Sequence, residues 1–293
     1  MGARLLPLTL LVTAFVAATP HAQERFSFFQ ASTPESVQQM LTLASLRDDD
    51  VVVDLGSGDG LIPLTAARMN SRLRGSGVDI DPDLVTKSNE RAKAEGLSDR
   101  VTFFHQNAFD ADLRDATVVT MWLFPELMQL LRPIILERAR PGTRVLTTTW
   151  TLGTWQPDET TGGAYMWIVP ACIGGAWQWD LTIEGTQVRY DSLIEQQFQV
   201  MEGVARAGDR RELLQEAKLR GPAVSFSLEI TLNGLGLTKH AFSGQVVGNE
   251  IRGTATLTPA SRSPLAIPWL ATRVDRSGYF AQTGTALFQA PGR

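Results

Sequence analysis

The chain has 293 residues, 43% of them hydrophobic and 20% charged. That apolar share supports ordinary cores and excludes a globally disordered chain, and at ~150 residues per domain the length suggests roughly two domains. A net charge of −4 counts against a general nucleic-acid binder, because phosphate neutralisation calls for a basic surface. The single cysteine, Cys172, rules out an intramolecular disulfide and a polythiolate zinc site, and His21, His105 and His240 are a thin supply for a multi-histidine metal centre.

Arg4 precedes a mostly apolar run from Leu5 to Ala18. That run is too short for a ~30 Å hydrocarbon core at ~1.5 Å per residue. A positive start, an apolar centre and then small residues predict a secretory signal peptide over residues 1–22, with cleavage after Ala18 or Ala22. The expectation is an exported, periplasmic protein with no membrane span in its mature chain.

From residue 27 to 170 the pattern alternates helix and strand. Thr33-Pro34 starts a helix, with Thr33 as cap and Pro34 at the first helical position. Asp48-Asp49-Asp50 reads as a solvated turn. Val51 to Leu55 is a β-branched run typical of a buried parallel strand, broken by Gly56-Ser57-Gly58-Asp59-Gly60. Leu61 to Met69 reads as helix and Gly77 to Ile80 as a second strand. Asp81-Pro82 opens a helix that ends near Gly96. Val101 to Phe104 and Thr117 to Met121 are further strands. The helix marked by Leu127, Leu130, Leu131, Ile134 and Ile135 is stopped by Pro141-Gly142, before a fifth strand, Val145 to Thr149. This alternation predicts an α/β fold with a doubly wound, Rossmann-like parallel sheet. Tyr165 to Val169 reads as its last strand.

From residue 171 to 293 the texture changes. Trp177, Trp179, Leu181 and Ile183 alternate, as do Val224, Phe226, Leu228, Ile230 and Leu232. Ala241 to Val247, Gly248-Asn249 and Glu250 to Leu257 read as a hairpin. A small antiparallel β domain, as a sheet or partial barrel, is expected. Arg210 to Leu214 fits a strand or a short helix. Trp150, Trp155, Trp167, Trp177 and Trp179 are expected mainly in core packing and at the domain seam.

In a doubly wound sheet, ligands bind beyond the carboxyl ends of the strands. The glycines at 56, 58 and 60 allow a tight turn and close approach of a ligand, with Asp54 placed to order the loop and help hold an ammonium group. Asp79, ending the second strand, can accept both hydroxyls of a ribose. Asn107, after the third strand, can accept from an adenine amino group and donate to a ring nitrogen. A dinucleotide fingerprint would place its third glycine at Leu61 rather than at Gly60, so the loop departs from NAD binding.

The run from Val52 to Gly60 resembles motif I of class I S-adenosylmethionine-dependent methyltransferases, and Gly77 to Pro82 resembles their ribose-binding second strand. Thr33-Pro34, the stretch from Val118 to Pro125, and Pro141 to Val145 narrow the likeness to a bacterial group. That group is similar to the lysine methyltransferases of ATP synthase subunit c and of the adenine nucleotide carrier. The likeness covers about residues 30–160. It implies S-adenosylmethionine as cofactor, held by Asp54, Gly56, Ser57, Gly58, Asp79, Asn107 and Ala108. In two places the sequence departs from the group: Asn107 stands where an acidic residue is usual, and Leu61 where an arginine is common. Transfer to an amine, foremost a protein lysine, is the implied reaction. Trp122 and Phe124, after the fourth strand, are candidates for an apolar wall around the amine. No general base is named, since Glu126 fits a helix start equally well. Two alternatives stay open: a small-molecule O- or N-methyltransferase, and an exported, non-catalytic ligand-binding protein on the same scaffold.

Overall fold

The computed structural model describes residues 33–276, so the signal-peptide expectation for residues 1–22 lies outside the described residues. Helix α1 (Pro34–Leu43) leads into strand β1 (Val51–Leu55), helix α2 (Leu61–Met69), strand β2 (Arg74–Asp79) and helix α3 (Pro82–Ala94). Strand β3 (Val101–His105), a 3₁₀ turn (Ala108–Asp110), strand β4 (Val118–Met121), helix α4 (Pro125–Arg138) and strand β5 (Arg144–Thr148) follow. Two short strands, β6 (Glu159–Thr161) and β7 (Ala164–Ile168), complete a seven-stranded sheet ordered β3-β2-β1-β4-β5-β7-β6. The first five strands pair in parallel, and β7 runs antiparallel to β5.

The capping chemistry explains the helix starts. Thr33 Oγ1 accepts from Ser36 N–H, and the Asp81 side chain accepts from Asp83 N–H, each ahead of a proline in the first turn. The sheet is buried on both faces. Val52 and Leu146 pack with Val37, Met40 and Leu41 of α1, while Val53, Leu55 and Val145 face Met128, Leu131 and Ile135 of α4. Strand β2 begins at Arg74, three residues before the expected Gly77, because neither Arg74 nor Gly75 carries a β-branched signal. Helix α4 passes through Pro133 without stopping.

Asp50 corrects the solvated-turn reading. It is 2% exposed and bonds Arg47 N–H, Thr117 Oγ1 and the Arg144 guanidinium. Burial alone raises its carboxyl, but the bonds from Thr117 and Arg47 and the Arg144 charge outweigh burial and hold it below the ordinary carboxylate range. Arg144 also bonds the carbonyls of Ala44 and Ser45, so this ion pair ties the end of α1 to β5.

The second sheet is larger than expected. It comprises β8 (Gly175–Ile183), β9 (Thr186–Gln197), β10 (Val200–Ala207), β11 (Arg210–Leu213), β12 (Gln215–Arg220), β13 (Ala223–Leu232), β14 (Gly236–Val247), β15 (Glu250–Pro259) and β16 (Leu265–Asp275). Their order is β11-β10-β9-β8-β16-β15-β14-β13-β12, and the two edges approach each other, so the sheet nearly closes into a barrel. The 248–249 hairpin is present, with Val247 opposite Glu250. Residues 210–213 form a strand, settling the choice left open above. Trp179, Tyr190, Phe226, Phe242 and Trp269 fill the interior, with ring centroids 5.0–6.2 Å apart. His240 lies among them, its Nδ1 3.1 Å from the Tyr190 hydroxyl. Among the described residues, no helix is long and apolar enough to cross a membrane.

Candidate functional site

The strand order turns back between β1 and β4, and a doubly wound sheet offers its ligand crevice at that switch point. The glycine loop leaves β1 there. Gly56, Gly58 and Gly60 all have left-handed φ, at +78°, +52° and +77°. A Cβ on Gly56 would lie 2.5 Å from Leu123 Cδ2, so glycine is needed for both backbone and space. The N–H groups of Gly56 and Ser57 both donate to Val78 O, at 2.9 and 3.0 Å, which fastens the loop to the end of β2.

Asp79 extends this fastening. Its Oδ2 accepts from Gly58 N–H at 2.8 Å and its Oδ1 from Asp81 N–H at 2.9 Å. Each carboxylate oxygen has a second lone pair for an incoming hydroxyl. Asp79 therefore braces the glycine loop as well as presenting acceptors, a role that the sequence reading missed.

Asp54 is 1% exposed beneath the loop. Its Oδ1 accepts from Thr120 Oγ1 of β4 at 2.6 Å, while its Oδ2 is buried with no partner. Burial pushes its carboxyl up to about 7; the Thr120 bond works against this, and the charges of Asp79 and Asp59 add to it. Ser57 Oγ, in the loop itself, is also buried and unpartnered. Two orphaned polar atoms, one at the end of β1 and one in the glycine loop that follows, mark a place where a polar ligand could supply the missing partners.

Asn107 caps the 3₁₀ turn at the end of β3. Its Oδ1 accepts from Phe109 N–H at 3.0 Å, and Ala108 begins the turn. The turn function is thus real, and the carboxamide nitrogen is the end left for recognition. Trp122 and Leu123 are half-buried just past β4, and Phe124 is 43% exposed at the start of α4. Leu123 packs on Gly56 and joins the core beneath α4, so that residue belongs to packing, whereas Trp122 and Phe124 lie on either side of it in the segment that follows β4 and join none of the core clusters. Of the five tryptophans read as core or seam, Trp155, Trp167, Trp177 and Trp179 are buried, and Trp150 departs at 47% exposed. Sequence reasoning also missed Thr120, whose link to Asp54 spans 66 positions and leaves no local signal.

A family model described as the ANTKMT methyltransferase domain matches residues 54–159. The chain is 35% identical to a protein-lysine N-methyltransferase of Saccharolobus islandicus over 128 residues, 43% of this chain and 80% of that protein. It is 31% identical to the adenine nucleotide translocase lysine N-methyltransferase of Mus musculus over 134 residues, 46% of this chain and 58% of that protein. Among solved structures, an RNA methyltransferase from Salinibacter ruber in complex with S-adenosyl-L-homocysteine is 43% identical, covering 48% of this chain and 94% of that one, with a TM-score of 0.46.

Proposed function

The chain belongs to the ANTKMT methyltransferase family, whose donor is S-adenosylmethionine, and from that premise we propose that it methylates a lysine side chain of a protein. The observation that carries the reading is the loop at the β1–β4 switch point, with Asp54 Oδ2 and Ser57 Oγ buried and unpartnered, in a chain similar to protein-lysine methyltransferases.

The residues fit the donor. In this reading Gly56 and Gly58 let the backbone approach it, Asp79 accepts from ribose hydroxyls, and the Asn107–Ala108 turn borders the base. Asp54 faces the ammonium end, where a positive charge would satisfy its free oxygen. The donor supplies a methyl group already activated on a sulfonium, so the protein's work is alignment and desolvation. A lysine ammonium, with a pKa of ~10.4 in water, must lose a proton before it can attack. Trp122 and Phe124 lower the dielectric on the acceptor side, which favours the neutral amine.

The experiment is transfer of labelled methyl from S-adenosylmethionine into a cell extract by purified protein. Label in protein bands, retained after nuclease treatment, supports the reading. Label confined to small molecules favours an O- or N-methyltransferase of small substrates, and label confined to RNA overturns the protein acceptor. Absence of transfer, with a saturable ligand in the barrel, favours a binding protein on this scaffold. Export belongs to the same proposal, on the strength of Arg4 and the apolar run that follows it; cell fractionation tests it, and a full-length cytoplasmic product would contradict it.

A further inference from the structure

We propose that Trp150 contacts the acceptor side chain and that Phe198 of the barrel positions the loop that presents it; this rests on the lysine reading above. Strand β5 ends at Thr148, and Thr149 then adopts a φ of +70°. A β-branched residue in the left-handed region is strained by ~1–3 kcal/mol and persists only where its surroundings enforce it. Here they do. Thr149 N–H donates to Gly163 O at 2.8 Å, Trp150 N–H to Thr148 O at 2.7 Å, and Thr147 Oγ1 to Trp150 O at 2.5 Å. The outcome is a large aromatic left 47% exposed, while Trp155, Trp167, Trp177, Trp179 and Trp269 are all buried.

Packing gives no reason for that arrangement, but location does. Trp150 stands at the carboxyl end of β5, the strand beside β4, whose own end carries Trp122 and Phe124. A lysine offers a flexible apolar stem ending in a cation. An indole face suits both parts, with cation–π attraction while the group is charged and a dry wall once it is neutral.

The rest of the loop is clamped from the barrel side. Phe198, in the β9–β10 turn, also has a left-handed φ, +55°. Its ring stacks on Trp155 at 5.6 Å and 15°, and the Arg132 guanidinium carbon lies 5.2 Å from its centroid. Arg132 donates to Leu152 O at 2.8 Å and Gln199 to Gln156 O at 2.7 Å. The barrel turn thus holds Trp155 and Gln156 directly, and Arg132 of α4, stacked on Phe198, holds Leu152, just downstream of Trp150. This assigns the barrel a task in catalysis that the family match, ending at residue 159, does not contain.

The test measures labelled transfer into extract protein over a range of extract concentrations, alongside calorimetry with S-adenosylmethionine, on the full chain. Trp150→Ala should raise the apparent KM for the acceptor band about tenfold, with cofactor affinity unchanged, and Trp150→Phe should restore most of it. Phe198→Ala should also raise KM, Phe198→Tyr should not, and the Phe198→Ala effect should vanish in a Trp150→Ala background. A Trp150→Ala KM equal to that of the wild type overturns the contact, and a Phe198→Ala effect undiminished in the double variant overturns the clamp. If Phe198→Ala does not fold, the Trp150 pair decides the contact, and Phe198→Leu takes its place in the cycle. Wild-type protein that labels no protein band would instead defeat the lysine reading beneath the proposal.

Discussion

With Asp54 facing the donor's ammonium as proposed, cofactor binding should depend on pH. In the free protein its carboxyl is pushed up to about 7 by burial, assisted by Asp79 and Asp59 and opposed by Thr120. If the donor's ammonium binds the ionised form, the apparent Kd scales with the factor 1 + 10^(pKa − pH). With a pKa of about 7 this factor is about 11 at pH 6 and about 1.1 at pH 8, so binding should be about tenfold weaker at pH 6, and proton release per ligand bound should be about 0.9 at pH 6, about 0.5 at pH 7 and about 0.1 at pH 8. Stability carries the opposite sign. Because the folded pKa lies above the unfolded value, ionisation penalises the free fold increasingly as pH rises from about 4 to 7. A shift of about 3 units puts the upper bound near 4 kcal/mol. Asp54→Asn keeps an acceptor for Thr120, removes the titration, and should make the free protein more stable at pH 8 while weakening donor binding. Calorimetry from pH 6 to pH 8, in buffers of differing ionisation enthalpy, measures both affinity and proton release. A pH-independent affinity in the wild type, or an unchanged pH slope in Asp54→Asn, would refute the reasoning.

Four further outcomes are expected. Asp79→Ala loses ribose acceptors and the brace on Gly58, and should cost ~1–3 kcal/mol of donor affinity by calorimetry. Gly56→Ala forces a Cβ against Leu123 in a left-handed backbone, and should lower the melting temperature through ~1–3 kcal/mol of strain while abolishing donor binding. Arg144→Met leaves the Asp50 carboxylate buried and uncompensated, and should cost ~3–5 kcal/mol in denaturant unfolding, most of it recovered by adding Asp50→Asn. Burial lowers His240 to about 4, below its ordinary 6.5, so the unfolded chain binds more protons between those values. Stability should therefore fall as pH drops from about 6.5 to 4, by up to ~3 kcal/mol, and a melting series on His240→Phe should lack that slope.

The parts legible in the sequence are those whose cause is local. Val51 to Leu55 announces a buried strand, the glycines after it announce a turn that only glycine tolerates, and Thr33-Pro34 and Asp81-Pro82 announce helix starts through capping chemistry. Asp79 and Asn107 were placed by counting strand ends. The Asp50–Arg144 pair was hidden because its partners lie 94 positions apart, and a run of three aspartates looks solvated from composition alone. The size of the second sheet was underestimated for a related reason. Strands such as Arg210–Leu213 and Gln215–Arg220 at its edges carry many charges, and it is antiparallel pairing with β10 and β13 that makes them strands. The exposure of Trp150 was likewise invisible, since it follows from a left-handed Thr149 fixed by Gly163 across the hairpin.

Methyl transfer from S-adenosylmethionine to a protein lysine, through the loop at the β1–β4 switch point, can be read by peptide mass spectrometry of extract protein treated with deuterated-methyl donor and either the wild type or Asp79→Ala. Deuterated methyl groups are expected on lysine side chains with the wild type, with strongly reduced incorporation for the variant at limiting donor. Incorporation on RNA or small molecules alone, or lysine methylation that Asp79→Ala leaves unchanged at limiting donor, would contradict this route.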